Sequence, residues 1–120
     1  MTWKFSGNLP VYQQIIDTIR GAVLSGQFQP GEKIPSVRDL ATAAMVNPNT
    51  MQHALQELER MGLLVTDGTN GRYVTKQPEV IEDARNRCLE ELKIECLRKF
   101  AALGVCAQEA GQLLMQQKEG

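Results

Sequence analysis

Residues 30–41 read PGEKIPSVRDLA, and residues 46–51 read VNPNTM. A proline–glycine pair marks a turn at the start of the first segment. Ser36 then predicts the start of a short helix, because its hydroxyl oxygen can accept a hydrogen bond from an N–H of the first turn. Asn47 predicts a second helix start in the same way, and Pro48 fits the first helical position, where its missing N–H costs nothing. Two short helices joined by a turn are typical of a helix-turn-helix.

The second predicted helix has two unlike faces. Its apolar residues recur at helical spacing and form one stripe of Met51, Ala54, Leu55, Leu58 and Met61. At about 100° per residue, the opposite face carries Asn49, Gln52, His53 and Gln56. Amide and imidazole side chains can lie against base edges in the DNA major groove. An ordinary solvated face has the same pattern, so this face alone does not separate the two interpretations.

The flanking segments extend this unit. Pro10 opens a helical pattern of apolar residues, and Gly26 ends it as a C-terminal cap. Residues 63–66 and 72–75 predict the two strands of a hairpin. Residues 67–71 connect them and end in Asn70-Gly71, a strong hairpin signal because both residues tolerate a positive φ. A hairpin directly after the outward-facing helix is typical of the wing of a winged helix.

The character of the sequence changes after Pro78. The chain of 120 residues is long enough for one compact domain and an appendage. We therefore expect a first domain over residues 1–78 and a helical segment over residues 79–120. The predicted fold class is mainly α with a small β-hairpin.

The C-terminal segment carries more apolar surface than one helix on a small domain can bury. Its main stripe contains Ile81, Cys88, Leu89, Leu92, Cys96, Phe100 and Leu103. Gly104 then breaks the pattern, and a shorter helix follows. Val80, Ile94 and Leu97 fall off the main stripe, which implies a second buried face. The simplest partner is the same segment of a second chain, which would give a homodimer with an isologous interface.

Residues 26–50 resemble the N-terminal domain of the GntR family of bacterial transcription regulators. The family pattern has the form G-x-x-x-P-G-x-x-L-P-S-x-R-x-L-A, then V-N-x-x-T, and it matches from Gly26 to Thr50 almost without gaps. The resemblance extends over about residues 9–76. It implies a winged helix-turn-helix domain and a sequence-specific, DNA-binding transcriptional regulator. The short C-terminal part is similar to the YtrA-like subgroup, whose members are small dimers that often repress transporter operons.

The resemblance also implies which residues contact a double-stranded DNA operator: Ser36, Arg38, Asn47, Asn49, Thr50, Gln52, His53, Gly71 and Arg72. Physical chemistry agrees with several of these roles. The rigid fork of Arg38 suits a phosphate or a guanine, and the two-ended amide of Gln52 suits an adenine. The alternative for Arg38 is a surface ion pair with Asp39 or Glu32. The resemblance places Gly71 and Arg72 at the tip of the wing, near the minor groove.

Three departures from the family pattern concern the same region. Met45 stands where relatives usually have glycine, in the turn between the two helices. If that turn needs a positive φ, the methionine adds strain on the order of 1 kcal/mol. Thr66 and Asp67 stand where relatives often have basic residues, and His53 stands where many have arginine or lysine. These last changes remove positive charge from the expected DNA-binding surface.

The charge of the chain is close to neutral. The net charge is −1, and residues 1–78 hold seven Lys/Arg against six Asp/Glu. DNA affinity must then come from a few placed cations and from helix N-termini, because a strongly basic patch is absent. The near-neutral charge and Asp67 also support an alternative function, a winged-helix module that binds protein and not DNA.

Other chemistries leave no pattern in the sequence. It shows no paired carboxylates, no nucleophile beside a base and no Gly-rich phosphate loop before a helix, so we expect no enzyme and no cofactor. His53 has no second ligand at metal-binding spacing, so no metal site is expected. Cys88, Cys96 and Cys106 form no C-x-x-C pair. We interpret them as small packed side chains, with thiol sensing across a dimer as the alternative.

The sequence also bears on where the protein is located and how it is regulated. No apolar run approaches the roughly 20 residues that a membrane span needs, and the N-terminus lacks the pattern of a signal peptide. We expect a cytoplasmic protein without membrane contact. A repressor needs an input, and the sequence contains no separate sensor domain. We therefore expect any small-molecule effector to bind between the C-terminal helices at the dimer interface.

Overall fold

The computed structural model describes residues 1–116, which form five helices and two short strands. In chain order these are α1 (Val11–Leu24), α2 (Val37–Ala44), α3 (Pro48–Arg60), β1 (Leu64–Thr66), β2 (Arg72–Val74), α4 (Pro78–Ala102) and α5 (Ala107–Met115). The predicted class, mainly α with a small hairpin, is confirmed. The chain divides into two compact units, Met1–Ala84 and Arg85–Gly120. The division falls inside α4, later than the boundary expected after residue 78.

The core of the N-terminal unit forms where α1 and α2 pack against α3. The apolar stripe of α3 is fully buried at Met51, Ala54, Leu55 and Leu58, each with no exposed surface. Ile15 and Ile19 of α1 are equally buried, one helical turn apart. Burial stabilises the fold by about 1.5–3 kcal/mol for each large aliphatic side chain. Met61, the last residue of the predicted stripe, is 37% exposed, because α3 has already ended there.

Both predicted helix starts in the central stretch are confirmed. The Ser36 hydroxyl oxygen accepts a hydrogen bond from the N–H of Asp39 at 3.1 Å, and α2 begins at the next residue. Asn47 Oδ1 accepts one from the N–H of Asn49 at 2.7 Å, and Pro48 is the first residue of α3. Each cap satisfies an N–H that would otherwise have no partner in the helix. Pro10 acts as the N-cap of α1, one position earlier than predicted.

The turn between α2 and α3 imposes a left-handed conformation on Met45. Its φ is 57° and its ψ is 47°, and among the described residues it is the single non-glycine with a positive φ. The N–H of Met45 donates to the carbonyl of Thr42 and that of Val46 to the carbonyl of Ala41, which is a Schellman end to α2. Met45 is 91% exposed, so packing contributes little to offset the strain.

The predicted hairpin is present, with residues 67–71 between its strands. The strands β1 and β2 pair antiparallel, with Leu64 opposite Val74 and Thr66 opposite Arg72. A five-residue loop, 67–71, joins the strands as expected, and its positive φ angles are at Gly68 (50°) and Gly71 (115°). Of the Asn70-Gly71 pair, therefore, the glycine alone has a positive φ. Glycine near each end of the loop lets the chain reverse without a two-residue turn.

A third backbone segment, residues 31–34, lies along β2 and was not predicted. The N–H of Gly31 donates to the carbonyl of Val74 at 2.9 Å, and the N–H of Val74 donates to the carbonyl of Glu32 at 2.8 Å. The N–H of Ile34 then donates to the carbonyl of Arg72 at 3.0 Å. These bonds join the segment before α2 to the hairpin. The start of α2 and the hairpin are therefore held in a fixed relation.

One carboxylate connects α3 to both strands of the hairpin. Glu59 of α3 accepts a hydrogen bond from Arg72 Nε at 2.6 Å and another from the hydroxyl of Thr66. Burial raises the pKa of Glu59, but the bonds from Thr66 and Arg72 and the positive charge of Arg72 outweigh it, so the pKa lies below its ordinary value. The ionised form of Glu59 is thus the one that holds the hairpin against α3.

The C-terminal unit contains the later part of α4 and all of α5. Gly104, with a φ of 79°, allows the turn between them, and the N–H of Val105 donates to the carbonyl of Phe100 at 3.0 Å. Within the described part of this unit, Ala110 is the one buried residue. None of the helices in residues 1–116 combines the length and apolarity that crossing a bilayer requires.

We predict that Met45→Gly stabilises the protein. Glycine removes a left-handed cost of about 1–2 kcal/mol and adds about 0.5–1 kcal/mol of unfolded-state entropy, so the net gain is on the order of 0.5–1 kcal/mol. Urea unfolding at 25 °C measures it. Met45→Ala keeps the Cβ and the strain, and it should match the wild type because the side chain is exposed. Equal stability of all three proteins would contradict the strain at this turn.

A second prediction concerns the unfolding free energy below neutral pH. Glu59→Gln should cost about 1–3 kcal/mol at pH 7, because it removes a charged acceptor from two donors. Since the folded pKa of Glu59 is below its unfolded value, its stabilisation is present above about pH 4.3 and is lost as the pH falls through the folded pKa. The wild-type and variant curves should therefore converge in acid.

Glu57→Gln is the matched control, because Glu57 lies on the same helix and forms an exposed ion pair with Arg60. Its effect should be smaller at neutral pH. A Glu59→Gln difference that stays constant from pH 7 to pH 3, or that is no larger than the Glu57→Gln difference, would refute the role of the Glu59 carboxylate.

Candidate nucleic-acid interface

The face of α3 that turns away from the core is polar. Asn49, His53 and Gln56 are exposed, and Gln52 is half-buried. The sequence predicted this orientation, and the structure confirms it. The polar side chains face outward because four apolar side chains on the opposite side of the same helix occupy the core.

The N-terminal ends of α2 and α3 keep polar groups available. The Ser36 oxygen accepts the N–H of Asp39, which leaves its own O–H free to donate, because a hydroxyl does both. Asn47 uses Oδ1 to cap α3 and keeps its NH₂ group as a donor. Thr50 is half-buried in the first turn of α3. Donors at these positions suit the oxygens of a phosphate.

Arg38 has an uncommitted guanidinium. It is exposed, and within residues 1–116 its side chain makes no hydrogen bond or ion pair. The alternative role as a partner of Asp39 or Glu32 is therefore not observed. Glu32 instead accepts a hydrogen bond from the N–H of Gln29 at 2.8 Å. A free guanidinium in the first turn of α2 is available to an anion outside the protein.

The two predicted wing residues have different surroundings. Gly71 ends the loop with a φ of 115°, which a side chain would strain. Arg72 is the first residue of β2, its side chain is 17% exposed, and its Nε is 2.6 Å from Glu59 Oε1. The exposed residues of the loop between them and β1, Asp67 to Asn70, include no cation. The charge of Arg72 thus faces α3, while the loop itself presents backbone and small polar groups.

Lys33 is a cation of this region that the sequence analysis missed. It is exposed, and its backbone pairs with Tyr73 of β2. Its stem lies across Gly71, where an added Cβ would be 3.0 Å from Lys33 Cε. No sequence pattern indicates this contact, because it depends on the bonds between residues 31–34 and β2. Only the position of Lys33, three residues before the cap of α2, could have suggested it.

His53 lies beside a shallow pocket that Tyr12, Gln56, Glu57 and Arg60 also line. A hydrogen bond from Arg60 lowers the pKa of Glu57, and the same bond raises the pKa of Arg60. At neutral pH Glu57 and Arg60 are therefore both charged and pair with each other. In the part of the chain that the structure describes, no three His, Cys, Asp or Glu side chains are placed to hold a metal ion.

The residues predicted to form a dimer interface lie in both units. Leu89, Leu92 and Leu103 are exposed by 54%, 65% and 81%. Cys88, Cys96 and Phe100 are half-buried. Ile81 belongs to the N-terminal unit and is buried there, with 7% exposure. Its burial is thus already accounted for within one chain, which leaves six residues as candidates for contact with a second copy.

This arrangement is similar to that of a known protein family. Residues 11–74 match the family described as "Bacterial regulatory proteins, gntR family". The HTH-type transcriptional repressor YtrA of Bacillus subtilis (strain 168) is 40% identical over 86 residues, which are 70% of this chain and 66% of YtrA.

Two solved structures add to this comparison. A GntR family transcriptional regulator from Listeria monocytogenes superposes with a TM-score of 0.89 at 30% identity, over 95% of this chain and all of that one. AraR(DBD), in complex with operator ORX1, has a TM-score of 0.56 at 28% identity, over 60% of this chain and 93% of its own.

The match to the family covers the helix-turn-helix and the wing, which are the elements that carry the exposed polar face and the free arginine described above. From these observations together, this chain belongs to the GntR family and is a DNA-binding transcriptional regulator with a winged helix-turn-helix domain.

Proposed function

We propose that the protein is a homodimeric repressor that binds a palindromic operator. Two features together carry this proposal. The helix α3 presents an outward amide face, and Arg38 on α2 has an uncommitted guanidinium. The similarity to YtrA, a transcriptional repressor, supports repression rather than activation. The similarity to AraR(DBD), solved on its operator, supports the use of this domain on DNA.

In this proposal α3 lies in the major groove. Asn49, Gln52 and His53 face base edges, and the amide of Gln52 can bond both N6 and N7 of an adenine. Around them, Ser36, Arg38, Asn47 and Thr50 hold phosphates and so fix the depth and register of α3. The wing, with Gly71 at the end of its loop, lies against the neighbouring DNA backbone.

In this proposal the C-terminal unit is where the chain contacts a second copy of itself. Within its described residues one side chain is buried, whereas seven large apolar side chains are more than about two-fifths exposed: Leu89, Leu92, Ile94, Leu103, Leu113, Leu114 and Met115. So many exposed large apolar side chains in one short segment are unfavourable in water. Pairing with the same segment of a second chain buries it with two-fold symmetry. Two N-terminal units then read half-sites about 34 Å apart, one turn of DNA.

Regulation follows from the same geometry. A small molecule that binds between the paired segments would change the separation of the two α3 helices if it binds one dimer geometry more tightly. A regulator of this kind acts on chromosomal DNA, and we therefore place it in the cytoplasm.

We predict that Arg38→Ala and Gln52→Ala weaken DNA binding in different ways. Arg38→Ala should raise Kd about tenfold on every sequence, since it removes a phosphate contact. Gln52→Ala should relax the preference at one base position per half-site, by about 1–3 kcal/mol. Fluorescence anisotropy with the promoter of the protein's own gene, its single-base variants and random duplex measures both.

Arg60→Ala is the control, because Arg60 is an exposed arginine of the same unit that pairs with Glu57 at the far end of α3. It should bind as the wild type does. An equal loss for Arg38→Ala and Gln52→Ala on every duplex would contradict this division of roles. Failure of the wild type to retain any DNA at low salt would favour the protein-binding module.

A further prediction separates dimer formation from folding. Leu92→Asp should shift the protein to a monomer in sedimentation velocity and weaken operator binding at least tenfold, because one N-terminal unit holds only one half-site. Leu92 is 65% exposed in the single chain, so the N-terminal unit should unfold at the wild-type temperature. Glu91→Gln, at the adjacent exposed position, should remain dimeric. A Leu92→Asp dimer of wild-type strength would place the interface elsewhere.

A further inference from the structure

The wing is flanked by two exposed lysines, each of which lies across a glycine. An added Cβ on Gly71 would be 3.0 Å from Lys33 Cε, and one on Gly31 would be 3.2 Å from Lys76 Cε. Each lysine borders its own groove. We call them the Lys33 groove, lined among others by Ser36, Asn70 and Gly71, and the Lys76 groove, lined among others by Gly31, Asp67 and Tyr73.

The two grooves differ in charge. The Lys33 groove has no carboxylate in its lining, and it includes the cap residue of α2. The Lys76 groove includes Asp67, which adds a carboxylate to its lining. Within residues 1–116 the Lys33 ammonium makes no hydrogen bond and no ion pair. The Lys33 groove therefore carries an uncompensated positive charge beside the wing loop.

Arg72, the other cation of the Lys33 groove, is already neutralised. Its Nε is 2.6 Å from Glu59 Oε1, and its side chain is 17% exposed. Glu59 also accepts the hydroxyl of Thr66. A phosphate that drew Arg72 away would leave the Glu59 carboxylate without its ion-pair partner in a partly buried position. Arg72 is thus suited to holding the wing in place.

Lys33 is placed firmly enough to act from the wing. On one side of it the carbonyl of Glu32 accepts the N–H of Val74, and on the other the N–H of Ile34 donates to the carbonyl of Arg72. Its backbone is therefore anchored to β2 although it lies about 40 positions earlier in the sequence. Gly71 gives the lysine stem the room to pass over the end of the loop.

We propose that Lys33, and not Arg72, is the wing's contact to a DNA backbone phosphate, and that Arg72 is a positioning residue that acts through Glu59. This inference rests on the proposed function and deepens it. A lysine is adequate for this task, because a phosphate contact that only positions the protein needs a charge and no fork-shaped geometry.

The test compares salt dependence in matched variants. For wild type, Lys33→Gln and Lys76→Gln, Kd is measured by anisotropy from 50 to 300 mM KCl on the promoter duplex and on a random duplex. Loss of one phosphate contact lowers the slope of log K against log salt by about 0.9 per contact, thus about 2 for a dimer. We expect that change for Lys33→Gln on both duplexes, the wild-type slope for Lys76→Gln, and recovery in Lys33→Arg.

The role of Arg72 is tested in the double variant Glu59→Gln/Arg72→Gln, which removes both partners of the ion pair. It should melt at a lower temperature but keep the wild-type salt slope when measured below its melting point. A reduced slope in this variant, together with a wild-type slope in Lys33→Gln, would overturn the proposal while DNA binding itself stands. A wild type that binds neither duplex at 50 mM KCl would overturn the proposed function as well.

Discussion

The packing of α3 against α1 is the interaction on which the rest of this protein depends. Four apolar side chains of α3, at Met51, Ala54, Leu55 and Leu58, are completely buried. Their removal from water is worth several kcal/mol in total, and it can be satisfied in only one rotation of the helix. That rotation turns Asn49 and His53 outward. The surface that we propose to read DNA is thus fixed by the core behind it.

The helix-turn-helix and the wing are held together by contacts that are distant in sequence. Residues 31–34 pair with β2, and Glu59 of α3 receives both Arg72 and Thr66 of the hairpin. The start of α2, the length of α3 and the wing therefore move as parts of one unit. In the proposed complex with DNA this rigidity compensates for a modest charge, because a few cations in fixed positions bind a regular phosphate backbone better than mobile ones.

Local rules predicted the elements well. The caps at Ser36 and Asn47, the two faces of α3 and the break at Gly104 all depend on residues within one or two helical turns, and sequence patterns report on that range. The left-handed position of Met45 was foreseen from the family pattern as a condition and is present. The hairpin with residues 67–71 between its strands was also predicted and is present, although local propensity did not show that Gly68, and not Asn70, has the second positive φ.

The features that could not be predicted from the sequence are tertiary contacts. Nothing near Lys33 shows that its stem lies over Gly71, since that contact requires backbone pairing between segments about 40 residues apart. Likewise, the resemblance placed Arg72 at the tip of the wing, and no sequence pattern showed that the carboxylate of Glu59, 13 residues away, faces it. The pairing of the C-terminal segments depends on a second chain, and it remains a prediction.

The most direct test of the account is a nuclear magnetic resonance titration of the nitrogen-15-labelled protein with its operator duplex, followed through the side-chain NH₂ signals. The account predicts that the signals of Asn49 and Gln52 shift or broaden strongly with operator and less with random duplex. Shifts confined to the C-terminal unit, with the Asn49 and Gln52 signals unchanged at saturating DNA, would contradict the insertion of α3 into the groove.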